Sequence, residues 1–325
     1  MKAILAIVLP AFLVVSLTSH AKNMQVDENT QHEILSKVKS DITDYYIFPE
    51  VAKKIDTQLL NAKYKDIVSA EEFVAEINKD LQEISHDKHL RLQYSSSVIP
   101  VAKHIDSIAE RLKKMPQAEA SNNFGFTQAM RLEGNVGYLS FDFFAPPAIA
   151  AKTVSAAMEF LLHTDSMIID LRKNIGGDPD MVSYIASYFF DKKPVHLNDI
   201  HWRENNRIDE YWSLKDLPGE RYLNKRVYIL TSQNTFSAAE EFAYDLKALK
   251  RATIIGERTA GGAHPANEFR INDHFSITIP NAKAVNPITK TNWEGTGVKP
   301  DIEASQDTAF DVAYKLAKME TGEQK

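Results

Sequence analysis

An α/β architecture is predicted by three observations. The apolar period changes along the chain from helical to alternating, the second half carries two rounds of strand-helix-strand, and each round ends in a polar or glycine-rich loop. Val136 opens the first round, with Leu139, Phe141 and Phe143 alternating through a strand. A helix over Val154, Met158, Leu161 and Leu162 follows, and then the apolar strand Met167-Ile168-Ile169. The second round is a strand from Val227 to Leu230, a helix from about Ser237 to Lys250 and a strand from Thr253 to Ile255. Asn272-Asp273, between Phe269-Ile271 and Phe275-Ile279, reads as a hairpin turn. A helix over Ala309 to Met319 closes the chain.

Upstream, apolar residues recur at helical spacing in three stretches: Ile34, Val38, Ile42 and Tyr45; Val51, Ile55 and Leu59; Phe73, Ile77, Leu81 and Ile84. Ser69 with Glu72 three places on is a capping-box pair that starts the third helix. These features predict a three-helix bundle over residues 22–100. A polar segment from Lys113 to Asn123, broken by Pro116, follows, and a soft boundary near residue 100 divides the bundle from a second unit over residues 101–325. Residues 1–21 read as a secretory signal peptide, because Lys2 precedes an apolar run from Ile4 to Leu17 that ends in the small-x-small pattern Ser19-His20-Ala21. An uncleaved anchor is the alternative. No stretch reaches the ~20 apolar residues of a transmembrane helix, so the expected product is exported, soluble and periplasmic or secreted.

The 325 residues carry 38 basic and 44 acidic side chains, a net charge of −6 that argues against a nucleic-acid or anionic-membrane partner. The absence of cysteine excludes disulfides, thiolate catalysis, Cys-ligated metals and a lipid anchor. Oligomeric state is not readable.

Chemistry is expected in loops at strand ends. In Asp170-Leu171-Arg172-Lys173-Asn174-Ile175-Gly176-Gly177 the paired glycines allow a sharp turn that leaves amides facing open space, a suitable environment for an oxyanion; a tight turn without function is the simpler reading. Ser237, followed three residues on by Glu240, reads either as a helix N-cap or as a hydroxyl beside free helix amides, where an alkoxide would be favoured. His86-Asp87-Lys88-His89 offers a histidine base; as a metal site it lacks the Glu of the zincin helix, and neither metal nor cofactor is expected. Glu294, in Trp293-Glu294-Gly295-Thr296-Gly297, is a carboxylate in a glycine-rich turn or simply an exposed loop acid.

The stretches HDKHL, DLRKNIGGDP, LPGERY, VYILTSQNTFSAAEEFAYDLKALKRATIIGERTAGGAHP and EGTGVKPDI occur in this order from residue 86 to 302. In this the chain resembles the tail-specific, or C-terminal processing, serine peptidases, in the branch of the tricorn protease core and interphotoreceptor retinoid-binding protein. The resemblance implies a ClpP/crotonase-like β-α spiral core. It also implies Ser237 as nucleophile, His89 rather than His86 as general base, Glu294 as the acid that orients the machinery, and an oxyanion hole from the amides of Ala238 and the Gly176-Gly177 turn. Gly262 stands where the processing proteases carry a catalytic lysine, which disfavours a serine-lysine dyad. Between His89 and the first core strand near Met130 there is no room for a PDZ domain. The implied activity is hydrolysis of a peptide or protein substrate through an acyl-enzyme. Two alternatives stay open: a non-catalytic binder of apolar small molecules, and a hydrolase of non-peptide esters or amides.

Overall fold

The computed structural model describes residues 24–60, 63–101 and 120–319; residues 1–21, expected to be a signal peptide, and most of the Lys113–Asn123 segment lie outside them. Asp27 caps helix α1 (Glu28–Tyr45) by accepting the Thr30 N–H at 2.8 Å. Pro49 opens α2 (Pro49–Gln58), where its missing N–H costs nothing. Ser69 Oγ accepts the Glu72 N–H at the start of α3 (Ala70–Ser85), and α3 ends at His86 in a left-handed conformation, φ 56°.

The three helices do not close a core among themselves. Strand β1 (Arg91–Tyr94) pairs with β10 (Phe275–Pro280), which pairs in turn with β9 (Ala266–Arg270), all antiparallel. Phe275, Ile277 and Ile279 are buried in the same cluster as Ile34, Phe73 and Leu81. The expected self-contained bundle is therefore corrected to three helices on a three-stranded sheet borrowed largely from the second half of the chain. Size explains this, since a unit of fewer than a hundred residues buries too little surface alone. The hairpin at Asn272-Asp273 is present, with Asn272 Oδ1 accepting the His274 and Phe275 N–H groups.

The main sheet has six strands in the order β12-β8-β7-β4-β3-β2. Its members are β2 (Phe126–Leu132), β3 (Val136–Phe141), β4 (Ser166–Asp170), β7 (Arg226–Thr231), β8 (Thr253–Gly256) and β12 (Ile302–Glu303). Only the β2–β3 pair is antiparallel. Alternation divides the strands between two cores. Leu139, Met167, Ile169, Val227, Ile229 and Ile254 face α4 (Pro147–Leu161), α5 (Pro179–Ala186) and α6 (Ala238–Ala248). Tyr138, Ile168, Tyr228, Leu230 and Ile255 face α7 (Ala309–Met319). A third, antiparallel sheet, in the order β11-β5-β6, is built from β5 (His196–Trp202), β6 (Ile208–Trp212) and β11 (Ala282–Val285) and packs against α6. The loops after β4 and β7, neighbours in the parallel sheet, open at the same sheet edge, and there the candidate residues gather.

Candidate functional site

Two loops are knitted into one rigid body. Thr235 Oγ1 and Ser232 Oγ donate to the carbonyls of Leu171 and Arg172, and Phe236 N–H donates to Asn174 O at 3.1 Å. The buried Asn174 side chain completes the seam, donating to Phe141 O and accepting the Gly176 N–H at 3.0 Å. Gly176 (φ +105°) lies so close to the next loop that a Cβ there would stand 2.7 Å from Ser237 Cβ. At this position only glycine lets the loops touch.

Ser237 sits at the turn from β7 into α6 with φ 54° and ψ −122°. A non-glycine residue held at positive φ stores roughly 1–3 kcal/mol of strain and persists only where its surroundings over-determine it. Glu240 supplies that constraint. Fully buried, its carboxylate accepts the N–H groups of Ser237 (2.9 Å), Gly261 (2.6 Å) and Gly262 (2.9 Å) and the Thr259 hydroxyl (2.5 Å). Burial raises its pKa and these donors work against the rise. The expected Ser237/Glu240 capping pair is thus seen from the Glu240 side, and it does more than start a helix: it ties the loop after β8 to the serine turn.

Of the three amides expected to face an oxyanion, the Gly176 N–H is committed to Asn174. The N–H groups of Gly177 and Ala238 donate to nothing among the described residues, and both residues line a cavity of about 340 Å³ shared with Ser237 and His89. Of the three, the Gly177 and Ala238 N–H groups are thus the two able to donate to a new acceptor in the cavity.

His86 is exposed at the end of α3, whereas His89 turns inward. The imidazole of His89 lies against the Phe236 ring at 4.5 Å between centroids and 31° between planes, and its buried Nδ1 has no hydrogen-bond partner. Burial pushes its pKa down to about 4; Asp87 works against that shift, and His264 adds to it. The ring is therefore neutral and able to accept a proton at ordinary pH. No hydrogen bond joins it to Ser237 among the described residues.

Behind His89 lies a cluster that the sequence did not suggest. Asp87 Oδ1 accepts the His89 backbone N–H at 3.0 Å, while Asp87 Oδ2 lies 2.8 Å from His264 Nδ1 and 3.2 Å from the Tyr46 hydroxyl. Glu294 joins this group and not His89: its Oε2 accepts the Ala263 N–H at 2.5 Å and lies 3.5 Å from His264 Nδ1. Its other oxygen is buried and unpartnered, and burial pushes its pKa up to about 7, with His264 opposing the shift and Asp87 adding to it. The ligand atoms of Asp87, His264 and Glu294 all lie within 4.8 Å of one another, the spacing of a metal-binding set. This set is not the His86, Asp87 and His89 trio weighed from sequence. The only local signal for His264 was a lone histidine after Gly261-Gly262, which by itself reads as a satisfied core residue.

The sequence pattern of peptidase family S41 matches residues 135–304, more than half of the chain, and that of the N-terminal S41 domain of eukaryotic interphotoreceptor retinoid-binding protein matches residues 20–124. The carboxy-terminal-processing protease of Bartonella bacilliformis is 27% identical over 180 residues, covering 54% of this chain and 40% of that protein. The chain thus spans less than half the length of that curated relative. Among solved structures, the photosystem II D1 C-terminal processing protease superposes with a TM-score of 0.53 at 16% identity, over 89% of this chain and 97% of that one. The tricorn protease gives 0.54 at 14% identity, over 90% of this chain and 37% of that one. At such identities the superpositions speak for the fold, and the family pattern, spanning both loops that form the cavity, speaks for descent: the chain belongs to peptidase family S41.

Proposed function

We propose that this chain is an exported serine peptidase that cleaves peptide bonds through an acyl-enzyme on Ser237. The observation that carries the reading is the conjunction in one cavity of a strained serine at a helix start, two amides without partners and a half-buried, neutral histidine. Ser237 Oγ attacks the peptide carbonyl while His89 takes its proton, and the Gly177 and Ala238 N–H groups hold the oxyanion that forms. The C–N bond then breaks as His89 returns the proton to the departing amine, and water repeats the sequence to release the acid. Asp87 fixes the His89 backbone, and Glu294 acts through His264 and Asp87 as a positioning residue. In this reading the six-stranded unit is the β-α spiral of the resemblance, residues 101–325 form the catalytic domain, and residues 1–21 direct export. Among the described residues no helix is long and apolar enough to cross a membrane. The test is labelling by a fluorophosphonate: wild-type protein labels, Ser237→Ala does not, and correctly folded wild-type protein that resists the probe would point instead to a binder of small apolar molecules.

A further inference from the structure

The cavity that Ser237 lines is also lined by an acid that the mechanism above does not use. Glu241 lies four residues after Ser237, in the first turn of α6, about 6 Å further along the helix axis at 1.5 Å per residue. It lines the same cavity, is 6% exposed, and its buried Oε1 has no hydrogen-bond partner. The next turn repeats the pattern with Asp245, fully buried, whose Oδ1 accepts from Asn286 Nδ2 at 2.9 Å while Oδ2 is left unpartnered. Beside them the Asn198 amide, also fully buried, approaches Glu241 without reaching hydrogen-bond geometry. Neither acid forms an ion pair with a lysine or arginine among the described residues. Asp178 and Asp180 add further negative potential at Glu241.

Stacked acids at i and i+4 destabilise a helix, and a buried carboxylate without a partner costs more. Burial, and then the neighbouring acids, raise both pKa values, which relieves the repulsion by favouring the protonated forms. A cation arriving in the cavity would relieve it in another way. Ile200, Trp202, Ala284 and Trp293 give this cavity apolar walls fit for a hydrocarbon stem, and Glu241 is the one carboxylate among the described residues of its lining, with Tyr211 adding a hydroxyl. We propose, on the basis of the peptidase reading, that Glu241 is the specificity determinant of the pocket for the residue contributing the attacked carbonyl, and that it selects a lysine or arginine side chain at that position.

The experiment compares two peptidyl diphenyl phosphonates that differ only in that side chain: lysine, and norleucine, which has the same stem without the ammonium. Each inactivates by forming a P–O bond to Ser237 Oγ as phenoxide leaves, with the serine proton passing to His89, so the rates report pocket preference without requiring peptide turnover. The wild-type protein should react faster with the lysine compound by at least about tenfold, and Glu241→Gln should bring the ratio of the two rates towards one. Equal rates in the wild type, or a preference for norleucine, would overturn the proposal even if the variant failed to fold. A ratio that survives Glu241→Gln would overturn it as well. A simple fluorophosphonate, which has no side chain to place in the pocket, separates this failure from failure of the peptidase reading: if Ser237 does not react even with it, that reading falls and the proposal falls with it.

Discussion

Asp87 Oδ2 lies 2.8 Å from His264 Nδ1 across 177 residues of sequence, and the other oxygen of the same carboxylate holds the His89 backbone N–H. One buried aspartate therefore joins the helical segment to the loop after β8 and sets the position of His89. Asp87→Ala would leave His264 and the Tyr46 hydroxyl buried without their partner. Breaking a buried pair in this way costs about 3–5 kcal/mol. Urea denaturation should show a loss in that range for Asp87→Ala and a smaller one for Asp87→Asn, which keeps an acceptor oxygen; a loss below 1 kcal/mol in the alanine variant would remove Asp87 from its anchoring role.

Gly262 bears on both the serine turn and the histidine. A Cβ added there would run into the Phe236 ring and stand 2.9 Å from His89 Cε1. Overpacking of this kind costs typically 1–3 kcal/mol, and the displaced atoms belong to Phe236, the residue before Ser237, and to His89. Gly262→Ala should slow fluorophosphonate labelling of Ser237 at least tenfold while the protein stays folded by circular dichroism. Unchanged labelling would show that the ring contact does not position the pair.

His89 and Glu294 should give the stability profile opposing slopes. Burial lowers the His89 pKa from 6.5 to about 4, so between those values the unfolded chain binds more protons and stability falls as pH drops through the window. Burial raises the Glu294 pKa from 4.5 to about 7, so the folded chain binds more protons there and stability falls as pH rises. The two effects oppose each other between pH 4.5 and 6.5. Relative to wild type, Glu294→Gln should make stability climb more steeply with pH in this window and His89→Ala less steeply. Parallel curves for all three proteins in urea titrations would contradict both assignments.

Activity should separate the same two residues. Glu294→Gln keeps the shape of the side chain but removes the charge it carries beside His264 above about pH 7, and there we expect kcat to fall tenfold or more, on the order of 1.4 kcal/mol, with KM little changed and a shifted pH–rate profile. Wild-type kinetics across pH 5 to 9 would mark Glu294 as a structural turn residue.

Much of this was legible in the chain. Strands β4, β7 and β8 read directly because both faces are buried and the apolar runs are continuous, and the third helix announced itself through Ser69 and Glu72. Strands β5 and β6 were missed because they carry His196, Asn198, Asp199, Asp209 and Glu210 among their apolar residues, and their pairing depends on β11 far downstream. The mistaken bundle had the same cause: Leu92 finds Ile277 only after 185 residues. At the site, the serine turn and the glycine loop are local patterns that a sequence can display. The Asp87–His264 contact is a long-range pairing of two residues that look ordinary where they stand, and Glu241 in Ala238-Ala239-Glu240-Glu241-Phe242 reads as a solvated helix acid until the fold buries it.

The central claim is that Ser237 Oγ becomes acylated, and intact-protein mass spectrometry tests it most directly. Protein mixed with an activated peptidyl ester and quenched in acid within the first turnover should gain the mass of one acyl group, localised by digestion to the peptide containing Ser237 and missing from Ser237→Ala. Release of product with no adduct on wild-type protein, or equal release by Ser237→Ala, would contradict it.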